Sequence, residues 1–160
     1  MLEFDRMRAL VAQRAGSAQG RAHLEDLQPL TDPGAVREAL ARTSEARRLL
    51  QTLGREPYHD LPNPAAALAG ARIKGAHLEP RGLLDLASFI EGGLEIVRGV
   101  SRSDDAPRLA RLASRARDTS EVSLAVRRAI LPTGEVADDA SPKLAETGVR
   151  WPACGSSSPP

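Results

Sequence analysis

Aromatic residues are nearly missing from this chain. They make up 2% of its 160 residues, as one Trp, one Tyr and two Phe. A core must therefore be assembled from Leu, Val, Ile and Ala. Leu and Ala are strong helix formers with little side-chain entropy to lose, so an all-helical fold is expected ahead of a sheet. Cysteine is almost absent too: Cys154 stands alone, which excludes an internal disulfide framework and fits a reducing, cytoplasmic setting. There is no excess of charge of one sign. The 22 basic residues are balanced by 21 acidic ones, whereas a dedicated nucleic-acid binder usually carries a clear basic excess. Long apolar runs are missing as well. The longest apolar-rich stretch, Leu83 to Ile90, contains Asp85 and falls far short of the ~20 residues that span a bilayer, so no membrane partner is expected. Glu3 and Asp5 near the start, with no apolar run behind a basic segment, exclude a secretory signal.

What is present suffices for one ordinary domain with its own core, since 41% of the residues are apolar. Leu2 to Ala15 reads as a helix whose buried stripe is Phe4, Met7, Leu10 and Val11, with Arg14 in line and Gly16 as the C-terminal cap. Ser17 is placed to cap a short second helix that Gln28-Pro29 stops. Asp32-Pro33 is a start signal, because a carboxylate accepts from free amides and proline suits the first helical position. Val36, Leu40, Thr43, Arg47 and Leu50 then run along one side, widened by Ala39, Ala46 and Leu53, and Gly54 closes the helix. Gly54 to Pro64 is a loop holding Tyr58, His59 and Asp60. Asn63-Pro64 opens an Ala-rich helix with Leu68 and Ile73 buried, closed by Gly75.

Pro80 opens the longest helix, reaching about Val100. Leu83, Ala87, Ile90, Leu94 and Val97 form a heptad-like seam along it. Gly92-Gly93 predicts a bend or fraying, since each Gly costs about 1 kcal/mol relative to Ala in a helix. Pro107 opens a further helix with Leu109, Leu112, Ala113 and Ala116 inward. Thr119 or Ser120 caps another through about Ile130. Pro132-Thr133-Gly134 is a turn, Glu135-Val136-Ala137 is short and extended, and Asp138 to Ser141 would cap a helix beginning near Pro142. That helix never develops. From Thr147 the apolar period is lost, and residues 147–160, with the lone Trp151 and Cys154, read as a disordered or frame-shifted tail.

Chemistry-bearing patterns are sparse. Gly70 to Gly75 has the glycine spacing of a phosphate-binding loop, but Lys74 precedes the second glycine and Ala76-His77 follow it, so no cofactor site is read there. His59-Asp60 lacks the converging ligands a metal needs, and Asp104-Asp105 and Asp138-Asp139 suit loops and caps. No catalytic set is present: Cys154 has no histidine near it in sequence. The one electrostatic anomaly is Arg98, Arg102, Arg108, Arg111, Arg115 and Arg117. Of these, Arg108, Arg111 and Arg115 share a helix face. They fit either a phosphate-contacting stripe or a solvated face ion-paired to carboxylates such as Glu91 and Glu95. The missing basic excess and aromatic interleaving weigh toward the second.

Several motifs, taken in order, carry a resemblance. They are Leu2-Glu3-Phe4-Asp5, Leu27-Gln28-Pro29-Leu30-Thr31-Asp32-Pro33, Leu78-Glu79-Pro80, and Gly134-Glu135-Val136 with Asp138-Asp139-Ala140-Ser141-Pro142 and Leu144. Over residues 1–146 the chain resembles the N-terminal part of the bacterial MutS-two branch of the MutS family. The resemblance implies an irregular multi-helix bundle like the MutS core domain, opening the chain without the mismatch-recognition and connector domains. In that family the core continues into lever helices, a clamp, an ATPase domain using ATP and Mg, and a small nuclease domain. Such proteins are dimeric clamps on branched duplex DNA that restrain recombination, and members split collided ribosomes. Gly134, Asp138, Asp139 and Ser141 then become the hinge from which a lever helix departs. Two departures stand out. Leu131 replaces the family's usual Asp, and the tail from Thr147 replaces the departing helix. With the later domains missing, no enzyme activity is expected of this chain, and its role would be structural. A freestanding helical protein-interaction module is the alternative.

Overall fold

The computed structural model describes residues 3–53 and 61–140. These form seven helices, α1 (Phe4–Ala12), α2 (Ala18–Glu25), α3 (Pro33–Leu53), α4 (Ala65–Ala71), α5 (Pro80–Ser101), α6 (Pro107–Ala113) and α7 (Ser120–Ala129). The all-α expectation is met. The tail expected at 147–160, the Gly54 cap and the His59-Asp60 pair lie outside the described residues, as does the side chain of Leu53.

Local chemistry sets most helix starts. Ser17 Oγ accepts from Gly20 N–H at 3.1 Å to begin α2, and Asp32 Oδ2 accepts from Ala35 N–H at 2.6 Å to begin α3. Asn63 Oδ1 accepts from Ala65 N–H at 3.1 Å ahead of α4. At α7 the N-cap residue Thr119 makes no side-chain bond. Asp118 caps it instead, its Oδ1 accepting from Ser120 N–H at 2.9 Å, and the Ser120 side chain together with this backbone N–H holds its carboxyl below the usual range. Gly16 does not cap α1, which ends at Ala12 with Gln13 as its C-cap; left-handed glycines among the described residues are Gly75 (φ 84°) and Gly134 (φ 89°).

α5 is the spine. It packs against α7, α6 and α4, while α3 packs on α6 and α1 on α2. With neighbours on several sides, α5 buries more than one stripe. Leu84, Ala87 and Val100 are its buried residues, and of the expected seam Ala87 is buried while Leu83, Ile90, Leu94 and Val97 are half-buried. The helix runs unbroken through Gly92-Gly93. Gly92 has a packing reason, since a Cβ there would run into Leu61 Cδ2, whereas Gly93 has open space.

The expected faces of four other helices are corrected. On α1, Met7 (60% exposed), Leu10 and Val11 face outward and Ala12 faces inward, because α2 docks on the Ala9–Ala12 side. On α3, Leu40 is exposed and the buried residues are Glu45 and Leu49, because α6 docks there. On α4, Leu68 and Ile73 are exposed. A Cβ on Gly70 would press on Leu78 Cδ2, and Ala67 lies against Gly82, so α4 turns its small residues to α5 and swings Leu68 out. On α6, Leu112 is exposed and Ala116 lies beyond the helix and is exposed; Leu109 and Ala113 are half-buried.

Candidate nucleic-acid interface and hinge

α6 is seven residues long and begins at Pro107 after an Ala N-cap that offers no side-chain acceptor. The acceptor comes from α3. Glu45 Oε2 accepts from Arg108 N–H at 2.8 Å and Leu109 N–H at 3.1 Å. Its Oε1 accepts from Arg108 Nη1 at 3.0 Å. Glu45 is thus 1% exposed yet met by three donors at the positive end of a helix. Burial pushes its carboxyl up, but the Arg108 side chain and the two backbone N–H groups outweigh burial and hold it below the usual range. Arg108 also bonds Glu38 Oε2 through Nε at 3.0 Å, and Arg42 Nε bonds Glu38 Oε1 at 3.1 Å. Bonds from Arg42 and then Arg108 lower the Glu38 carboxyl, and Glu45 foremost raises Arg108.

The arginine stripe is therefore divided. Arg108 is clasped to α3. Arg111 on α6 and Arg115 in the turn beyond it are exposed, and no ion pair of theirs is found among the described residues. Of the three residues on that face, those two remain outside the clasp. The Glu45 partnership was hidden from sequence inspection, because its partners lie 63 and 64 residues away. One signal existed: a proline-initiated helix with an alanine N-cap needs a borrowed acceptor.

A second clasp joins α5 and α7. Arg127 meets Glu91 in a two-point pair at 3.1 and 2.8 Å, and its Nη2 also donates to Ser88 Oγ at 2.8 Å. Arg127 holds the Glu91 carboxyl below its ordinary range. Glu91 was expected to face the arginines between 98 and 117, and it faces Arg127 instead.

The segment expected to serve as a hinge follows α7 directly. Ile130 leaves the helix in extended conformation and pairs with Val136 in an isolated antiparallel bridge. Leu131 N–H donates to Glu135 O at 2.8 Å and Ala137 N–H to Ala129 O at 2.9 Å. The turn closes through Gly134, whose N–H donates to Leu131 O at 2.8 Å and whose φ of 89° suits glycine. Ile130 and Ala137 are buried, so the turn is anchored to the helical body. Asp138 and Asp139 are exposed in the following turn; Ser141 lies outside the described residues.

Gly70–Gly75 spans the end of α4 and the turn after it, where Gly70 is a packing glycine. Among the described residues no group of His, Cys, Asp and Glu could hold a metal, and no helix is long and apolar enough to cross a membrane.

No family model and no solved structure matches the chain. Curated proteins do. The chain is 34% identical over 145 residues to endonuclease MutS2 of Symbiobacterium thermophilum, covering 91% of this chain and 18% of that protein. It is 32% identical over 148 residues to the endonuclease MutS2 of Pelotomaculum thermopropionicum, with 91% and 18% covered. With that of Geobacillus thermodenitrificans the identity is 33% over 148 residues, with 90% and 19% covered. The chain spans under a fifth of the length of these relatives, so the match concerns one segment of them. Across nine-tenths of its length, then, the chain is a relative of the endonuclease MutS2 branch of the MutS family.

Proposed function

We propose that this chain is a core-domain segment of a MutS2-like protein and that its task is mechanical. Residues 1–146 would form a stiff helical body between DNA-gripping and ATPase parts, passing nucleotide state on as rigid-body motion. The observation that carries this reading is the pair of clasps, Glu38–Arg108–Glu45 and Glu91–Arg127, which tie α3 to α6 and α5 to α7 within a segment related to MutS2 over nine-tenths of its length. Gly134, Asp138, Asp139 and Ser141 would start the helix that carries the motion away. The whole protein would act on branched duplex DNA, in restraining recombination, or on ribosomes, as a dimer. ATP, Mg and the nuclease chemistry would belong to parts outside this segment, and the segment itself would not be an enzyme. Arg111 and Arg115 would touch phosphate in that assembly.

A chimera tests this. The matched segment of the Symbiobacterium thermophilum relative is replaced by residues 1–146 of this chain. ATP hydrolysis and branched-DNA binding should both survive. Arg111→Glu with Arg115→Glu should weaken DNA binding and flatten its salt dependence while leaving hydrolysis unchanged. A folded chimera that hydrolyses ATP but no longer binds branched DNA would overturn the mechanical role. A salt dependence untouched by the double variant would remove the two arginines. A second reading, the freestanding interaction module, is favoured by the outward apolar face of α1.

A further inference from the structure

α1 carries an apolar face that nothing in the described fold covers. Asp5, Arg8, Ala9 and Ala12 line its groove with Arg21 and Glu25 of α2, and Arg8 Nη1 donates to Leu27 O at 3.2 Å. This side is committed, and Ala12 is 4% exposed. On the opposite side, Met7, Leu10 and Val11 are 60, 50 and 49% exposed. At about 100° per residue, Met7 and Leu10 lie on the side of α1 away from α2, and continuing that turn to the N-cap Glu3 and to Arg14, just past the C-cap Gln13, places all four within an arc of roughly 60°. Their spacing of four, three and four is that of a helix-pairing seam.

The seam has an apolar centre, an acidic start and a basic end. That order is self-complementary when two copies run antiparallel. If Met7 of one copy meets Leu10 of the other, Glu3 meets Arg14 in the same register, at both ends of the pair. No other polarity achieves this: a parallel pair sets Glu3 on Glu3 and Arg14 on Arg14. Both residues are exposed; Glu3 bonds Arg6 on its own helix at 3.1 Å, a surface pair that is easily exchanged.

We propose that α1 docks antiparallel on α1 of a second copy of this chain, Met7 against Leu10 and Glu3 against Arg14. With α2 behind each α1, the contact builds a two-fold four-helix cluster in which each copy offers the same patch. The inference is independent of the MutS2-like reading, since it uses only the exposed face and its charge order.

Sedimentation equilibrium of the purified chain over a wide concentration series tests it. The chain should dimerise reversibly, and Leu10→Lys, at an exposed position, should abolish the dimer with helical circular dichroism unchanged. Glu3→Arg alone and Arg14→Glu alone should each weaken the dimer about two- to fivefold, and the two together should restore it. A monomer at every concentration overturns the proposal and leaves the face to another element or partner. So does a dimer that Leu10→Lys leaves intact, or one in which the double reversal fails to restore what the single reversals lose.

Discussion

A carboxylate that is 1% exposed is tolerable at Glu45 because three N–H donors meet it, two of them at the unsatisfied start of α6. Glu45→Gln keeps the shape but removes the charge and leaves one amide NH2 facing donors. The melting temperature should therefore fall further than for Glu38→Gln, whose half-exposed side chain meets only the side chains of Arg42 and Arg108; thermal unfolding followed by circular dichroism checks the order. Equal shifts would mean that the backbone bonds to α6 carry little. A second comparison concerns two adjacent glycines of α5. A Cβ on Gly93 meets nothing within 4 Å, so Gly93→Ala should stabilise by about 1 kcal/mol through helix propensity alone. Gly92→Ala should lack that gain, because Leu61 must move first. Urea unfolding of the two variants separates the cases.

At the scale of helices, what could be read in the sequence was whatever neighbours in sequence decide. Asp32-Pro33, Ser17 and Pro80 open helices where expected, and Gly134 makes its turn. Each depends on groups within four residues. The buried faces were not legible in the same way. Met7, Leu10 and Leu40 are apolar at helical spacing and face out, while Ala12, Ala87 and Ala106 are buried. Small residues let helices approach closely, and this chain places them at its contacts. Apolar periodicity on α1 and α3 therefore marks larger residues, Met7, Leu10 and Leu40, that the described fold does not cover. The arginine stripe illustrates the same limit: Arg108 lies on one face with Arg111 and Arg115, but its role is set by Glu38 and Glu45 from a distant helix. The Arg127–Glu91 clasp belongs to this scale too. Its side chains are 37 and 45% exposed, so Arg127→Ala should cost only about 0.2–1 kcal/mol, less at high salt. Denaturant titrations at two ionic strengths measure it.

For the whole molecule, the clasps set an acid limit. Glu38, Glu45, Glu91 and Asp118 all have carboxyl groups lowered in the fold. Lowered groups add stability that is complete above the unfolded values of 4.5 for Glu and 3.8 for Asp, and that is lost as pH falls through the folded values. Melting temperature should thus be flat near neutrality and decline below about pH 4.5, and Glu45→Gln should make the decline shallower. The core is thin, with eight buried hydrophobic residues among those described, four of them alanine. The clasps then add to this thin core in tying α3 to α6 and α5 to α7. Native-state hydrogen exchange tests this most directly. If α5 is the spine of one body, amides in the middle of α5, α6 and α7 open together, with one common free energy that Glu45→Gln and Arg127→Ala each lower for all three helices. If α6 and α7 open separately, each variant affecting only its own helix, the chain is not the rigid segment described, and the mechanical role proposed for it fails.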